Sequence, residues 1–118
     1  MKVSVYWNLH KGLWSVLAQE GPDKGRVVAR LPRVTLRDVT STVRQGGRQK
    51  VLREGRKNVH AFINGRLVAD HGRLKGGEQI TYNPYKYSSF VYRDDPSREF
   101  KGSGRAILDA DRSVTVGC

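Results

Sequence analysis

Apolar side chains fall at every second position along the first third of the chain, and that period calls for strands rather than helices there. Val3, Val5 and Trp7 alternate with Ser4 and Tyr6, Asn8-Leu9-His10-Lys11-Gly12 supplies a turn, and Leu13 to Ala18 alternates again, as in a β-hairpin. Gln19 to Gly25 is dense in turn formers and leads to a strand at Arg26 to Leu31, which Pro32 ends. Val34 to Val39 alternates once more and is expected to extend an antiparallel meander.

The pattern changes at Gly46. From Gly46 to Lys57 the β-branched residues thin out, and long straight side chains favour a short helix closed near Gly55. Beyond it, Asn58 to Ile63 and Arg66 to Ala69 flank Asn64-Gly65, the dipeptide most specific for a two-residue hairpin turn. Strands are expected at Glu78 to Tyr82 and Phe90 to Arg93, around a polar, tyrosine-rich loop, with two short strands near Ala106–Leu108 and Val114–Val116. The expected fold is α+β. It is a single domain with a twisted antiparallel sheet of hairpins and one short basic helix. Residues 1–93 form its basic body, and residues 94–118 a C-terminal extension of the same domain.

Length and composition fit one core: 118 residues, 37 % hydrophobic, with two Trp, three Phe and five Tyr as bulky filling. No apolar run approaches the roughly 18 residues that span a bilayer, and the N-terminus reads as a strand rather than a signal peptide. A cytoplasmic location with no membrane partner is therefore expected. The lone Cys118 excludes an internal disulfide and zinc sites built from several thiolates. Charge points to the partner. The 22 Lys and Arg against 11 Asp and Glu leave +11, and 18 of those cations but only 6 of the acids lie in residues 1–93. Such a field concentrates polyanions and gains free energy by releasing counterions from phosphates.

Four features are candidates for chemistry. The helical segment carries Arg44, Arg48, Lys50, Arg53, Arg56 and Lys57 against Glu54 alone, and Gly46-Gly47 ahead of it offers backbone N–H groups to a phosphate. The histidines are His10, His60 and His71. Alternation puts Val59, Ala61 and Ile63 toward the core and presents His60 with Phe62 on the other face. His60 and His10 are then candidate acid–base groups for metal-independent RNA cleavage, with Lys11, Arg53, Arg56 or Arg73 on phosphate. Tyr82-Asn83-Pro84-Tyr85-Lys86-Tyr87 alternates rings with polar and cationic groups, which suits stacking on unpaired RNA bases better than duplex DNA. Asp94-Asp95 and Asp109-x-Asp111 lack companion ligands at metal spacing and read as turn residues. No cofactor is expected, since Walker, GxGxxG, GxSxG and HExxH motifs are missing from the sequence.

The strings Asn8-Leu9-His10-Lys11, Arg53 to Phe62 and Tyr82-Asn83-Pro84-Tyr85 resemble those of small basic proteins encoded by tailed bacteriophages, over roughly the first 93 residues. The resemblance implies a phage accessory protein acting in the bacterial host cytoplasm and implies no activity. Three functions compete: a nucleic-acid-binding protein with RNA favoured, a metal-independent ribonuclease, and an inhibitor of a host defence or transcription nucleoprotein complex. Binding ranks first because it needs only the charge and rings visible in the chain.

Overall fold

β1 (Lys2–Asn8) and β2 (Leu13–Ala18) pair antiparallel, and β3 (Val27–Leu31) adds to β2. These pairs put Val3 beside Ala18, Val5 beside Val16 and Trp7 beside Trp14 on one face, as the alternation requires. β4 (Val34–Val43) then leaves this group. It lies between β5 (Ala61–Val68) and β8 (Ser103–Leu108), so the expected meander stops at β3. With β6 (Glu78–Thr81), β7 (Val91–Tyr92) and β9 (Val114–Gly117), the sheet runs in the order β3-β2-β1-β5-β4-β8-β9-β6-β7, every pair antiparallel. The structure, a computed structural model, describes residues 1–69, 74 and 76–117. Cys118, His71 and Arg73 lie outside the described residues.

The one helix among the described residues, α1 (Gln45–Glu54), ends where expected, at Gly55 in the left-handed conformation (φ 69°), whose N–H bonds to the Val51 carbonyl. It buries Val51 alone. So little apolar contact cannot cover a nine-stranded sheet, and the core forms instead between parts of the sheet itself. Val5 and Val16 near one end of the strand order share a cluster with Ile80, Phe90, Val114 and Val116 near the other. The sheet therefore curls over its own apolar face. Trp14 of β2 fastens the curl by donating its indole N–H to the Asp109 carbonyl, between β8 and β9, at 2.8 Å.

Asn64-Gly65 is not a turn. Both residues lie inside β5, which is hydrogen-bonded on one side to β1 and on the other to β4. Opposite them β4 bulges between Arg37 and Thr40, with Asp38 at φ 51°. The bulge drives the Arg37 carbonyl against Gly65, where an added Cβ would sit 2.7 Å from that oxygen. Glycine is needed here for close backbone approach rather than for a reversal. Asn64 is held by side-chain bonds, accepting from Ser4 Oγ at 2.6 Å and donating to Thr42 Oγ1 at 2.8 Å. Pairing on both edges thus overrides the local turn preference.

Gly65→Ala is expected to lower stability by about 1–3 kcal/mol, because the methyl meets backbone that cannot step aside. Urea unfolding of the two proteins measures the difference, which a turn glycine in open space would not show.

Candidate functional site

Two loops built alike border one cleft. Between β1 and β2, Asn8 Oδ1 accepts the N–H groups of His10 and Lys11 at 3.0 and 3.1 Å, and its carbonyl accepts that of Gly12 at 2.9 Å. After β6, Asn83 Oδ1 accepts the Tyr85 N–H at 2.9 Å, and its carbonyl accepts those of Lys86 and Tyr87 at 3.0 and 2.8 Å. Each asparagine substitutes its side chain for backbone pairing and pushes the loop tip outward. Leu9 and His10 are exposed at one tip, and Tyr85 (61 % exposed) and Lys86 at the other.

Between the loops lies a cleft of about 970 Å³. Trp7, Trp14 and Tyr82 line its depth, with the two tryptophan rings edge to face at 5.1 Å. Its borders carry three exposed apolar side chains, Leu9, Val59 and Tyr85, together with His10, Lys57, Arg93 and Arg112. The Arg112 guanidinium stands 5.7 Å from the Trp7 ring centre, and Arg93 donates to Gln79 Oε1 at 2.6 Å. Asp111 also borders the cleft, but its Oδ1 accepts the hydroxyl and N–H of Ser113 at 2.5 and 2.9 Å. Those bonds hold its carboxyl below the usual range. Asp95 binds Ser97 in the same way, so both aspartates cap turns.

His60 is not presented to solvent as alternation implies. It precedes β5 and is 6 % exposed, while Val59, expected in the core, is 52 % exposed. Asn58 explains the reversal. Its amide nitrogen donates to the Gly47 carbonyl at 3.2 Å, which turns Oδ1 toward His60 Nδ1 at 2.8 Å. Since the Asn58 backbone carbonyl also faces Nδ1, at 3.2 Å, that nitrogen carries the proton, and Nε2 accepts from the Tyr82 hydroxyl at 2.7 Å. Gly47 makes room for the ring: a Cβ there would lie 2.5 Å from His60 Cβ. Burial pushes the Tyr82 phenol above the ordinary value, against the opposing charge of Arg48.

The helix meets the tyrosine loop through polar bonds. Arg48 Nε donates to the carbonyls of Pro84 and Tyr87 at 3.1 and 2.9 Å, and Gln45 donates to that of Ser88 at 2.9 Å. Arg48 is thus half-buried and engaged, whereas Lys50, Arg53, Arg56 and Lys57 are exposed. Of the residues singled out in the sequence, His10, His60, Lys57, Tyr82 and Tyr85 line the one cleft. Lys50, Arg53 and Arg56 do not line it, and Arg44 stacks 4.8 Å over Phe62, away from the core. Lys11 and Lys86 are exposed on the two loops, Tyr87 is half-buried, and Arg73 lies outside the described residues. Trp7, Arg93 and Arg112 were not legible as site residues. Arg112 reaches Trp7 only because the β8–β9 connection folds back onto β2, a contact without a local signature.

Two substitutions test the histidine's setting. Gly47→Ala forces the helix off His60, and Tyr82→Phe leaves Nε2 without its donor; each is expected to cost about 1–3 kcal/mol by urea unfolding. The phenol's folded value lies above its unfolded 10.0, so the unfolded chain loses this proton first. Stability from this group is complete below pH 10.0 and is lost as pH rises through the folded value. Unfolding curves in alkali should show this loss in the parent and not in Tyr82→Phe.

Comparison with known proteins places the chain. The family described as the Mycobacterium phage L5 gene 82 protein matches residues 1–116, well past the 93 residues over which the phage resemblance is read in sequence. The Gene 82 protein of Mycobacterium phage L5 is 41 % identical over 114 residues, which cover 92 % of this chain and 90 % of that one. No solved structure matches. With the match running through every strand of the sheet but the last residue of β9, the chain belongs to the family of the mycobacteriophage L5 gene 82 protein.

Proposed function

We propose that this phage-family protein binds nucleic acid, with unpaired RNA bases entering the cleft between the Asn8 and Asn83 loops. One observation carries the reading: exposed Leu9, Val59 and Tyr85 stand among Lys57, Arg93 and Arg112 at the mouth of a cleft lined by Trp7, Trp14 and Tyr82. Apolar and aromatic faces accept bases of any sequence, and cations beside them meet the connecting phosphates. A net charge of +11 supplies the long-range attraction. The exposed cations Lys50, Arg53 and Arg56 extend the field beyond the cleft.

Ribonuclease activity is the second reading, favoured by the presence of His10 and His60 in the same cleft. Both ring nitrogens of His60 are already bonded, so His60 would act on substrate only through Tyr82. It is a positioning residue in either reading.

Fluorescence anisotropy with labelled single-stranded RNA and DNA in EDTA tests the proposal, and a gel of the same mixtures reads cleavage. Affinity is expected to fall steeply with salt, with a slope of about −0.7 per phosphate contact. Tyr85→Ala is expected to weaken binding by about 1–3 kcal/mol, the range for a lost stacking ring, and Lys57→Glu with Arg112→Glu to lower both affinity and slope. Binding unchanged in all these variants would reject the cleft. Intact RNA across pH would reject the nuclease.

A further inference from the structure

Four cations stand in line on the outer face of the sheet. Lys2 of β1 pairs with Arg66 of β5, Arg66 with Arg37 of β4, and Arg37 with Arg105 of β8. Directly paired residues project from the same face, and their chain neighbours Val3, Leu36 and Ala106 are buried in the core, so the row points away from it. At about 4.8 Å between strands, it runs about 14 Å across four of them. Lys2, Arg37 and Arg66 are exposed, and Arg105 is half-buried with its Nε unpartnered within the described residues. Among those residues two carboxylates meet the row: Asp38, 3.6 Å from Arg66 Nε and mostly solvated, and Glu20, whose Oε1 accepts the Lys2 backbone N–H at 3.0 Å.

Like charges directly opposite one another destabilise a sheet, so the row costs the free protein some stability. It is relieved when an anion of matching length lies across it. We propose that the face binds the phosphate backbone of a nucleic-acid strand along Lys2, Arg66, Arg37 and Arg105. Three of the four are arginines, whose planar fork bonds phosphate oxygens in pairs. An adjoining groove of about 680 Å³ beside Lys2 and Arg66 offers Ser4, Thr40, Thr42 and Asn64 as hydrogen-bonding groups, with Asp38, Leu17 and Phe62 also in its lining. The row and this groove contain none of the exposed large apolar side chains that a protein interface would centre on. The row shares no residue with the cleft, and this proposal does not rest on it.

The test compares the full chain with Arg37→Gln/Arg66→Gln, by anisotropy of a labelled single-stranded RNA of about twelve nucleotides, with poly-glutamate as a parallel probe. The double variant is expected to bind RNA at least fivefold more weakly, with a salt slope smaller by about 1.4. Arg37→Gln alone, at an exposed position, is expected to melt about 1–4 °C higher as the like-charge contact is relieved. Because that single variant also reports affinity, misfolding of the double would not stop the test. Equal RNA affinity, or a lower melting temperature in Arg37→Gln, overturns the proposal. So does a parent that binds poly-glutamate through these arginines and ignores RNA, which would assign the face to an acidic protein. Loss in the Lys57→Glu/Arg112→Glu protein alone keeps the cleft and rejects the row; loss in the Arg37→Gln/Arg66→Gln protein alone does the reverse.

Discussion

Among the described residues, a sheet of nine strands has one ten-residue helix and otherwise only itself to pack against, and most of this structure follows from that. The helix contributes Val51 to the interior. The rest of the apolar surface is removed from water by curling, which brings Val5 and Val16 into the same cluster as Ile80, Phe90 and Val114. The bulge in β4, accommodated by Gly65, is where the pairing adjusts, and the bond from Trp14 to Asp109 ties the two limbs. The curl leaves β3 and β7 as edges rather than a closed barrel, and the cleft lies between limbs that meet in the core without pairing.

Polar contacts then do for the helix what apolar packing does not. His60, Asn58 and Tyr82 form a bonded chain from the Gly47 carbonyl on the helix to β6 and its following loop, and Arg48 and Gln45 attach the helix to the loop itself. A buried imidazole is costly only when a ring nitrogen lacks a partner, and here both are satisfied. Tyr82 is thereby fixed with its ring toward Phe90 at 5.3 Å and its edge on the cleft. Through Tyr82, His60 supports the wall of the cleft.

The strands and the helix end were legible because their signals are local. Alternation from Val3 to Ala18 reports which residues are buried, and Gly55 closes the helix whatever surrounds it. The turn from Asn8 to Gly12 and the tyrosine-rich loop were legible as loops for the same reason, while the bonds that Asn8 and Asn83 make to their backbone emerged from the structure. His60 was misread because alternation was carried back past the start of β5, into a segment whose path is set by Gly47 and Tyr82. Asn64-Gly65 was misread because a turn signal is only a preference, here outweighed by strands on both sides.

By itself the sequence determined the class of structure, the net charge, the places of the two loops and the pool of rings and cations from which a site can be made. Only the tertiary structure decided which of them meet. Trp7 and Arg112 are separated by more than a hundred residues, and Lys2, Arg66, Arg37 and Arg105 become neighbours only through the strand order β1-β5-β4-β8. Strand order and register are set by burial of a shared core over the whole chain, and no short stretch of residues encodes them.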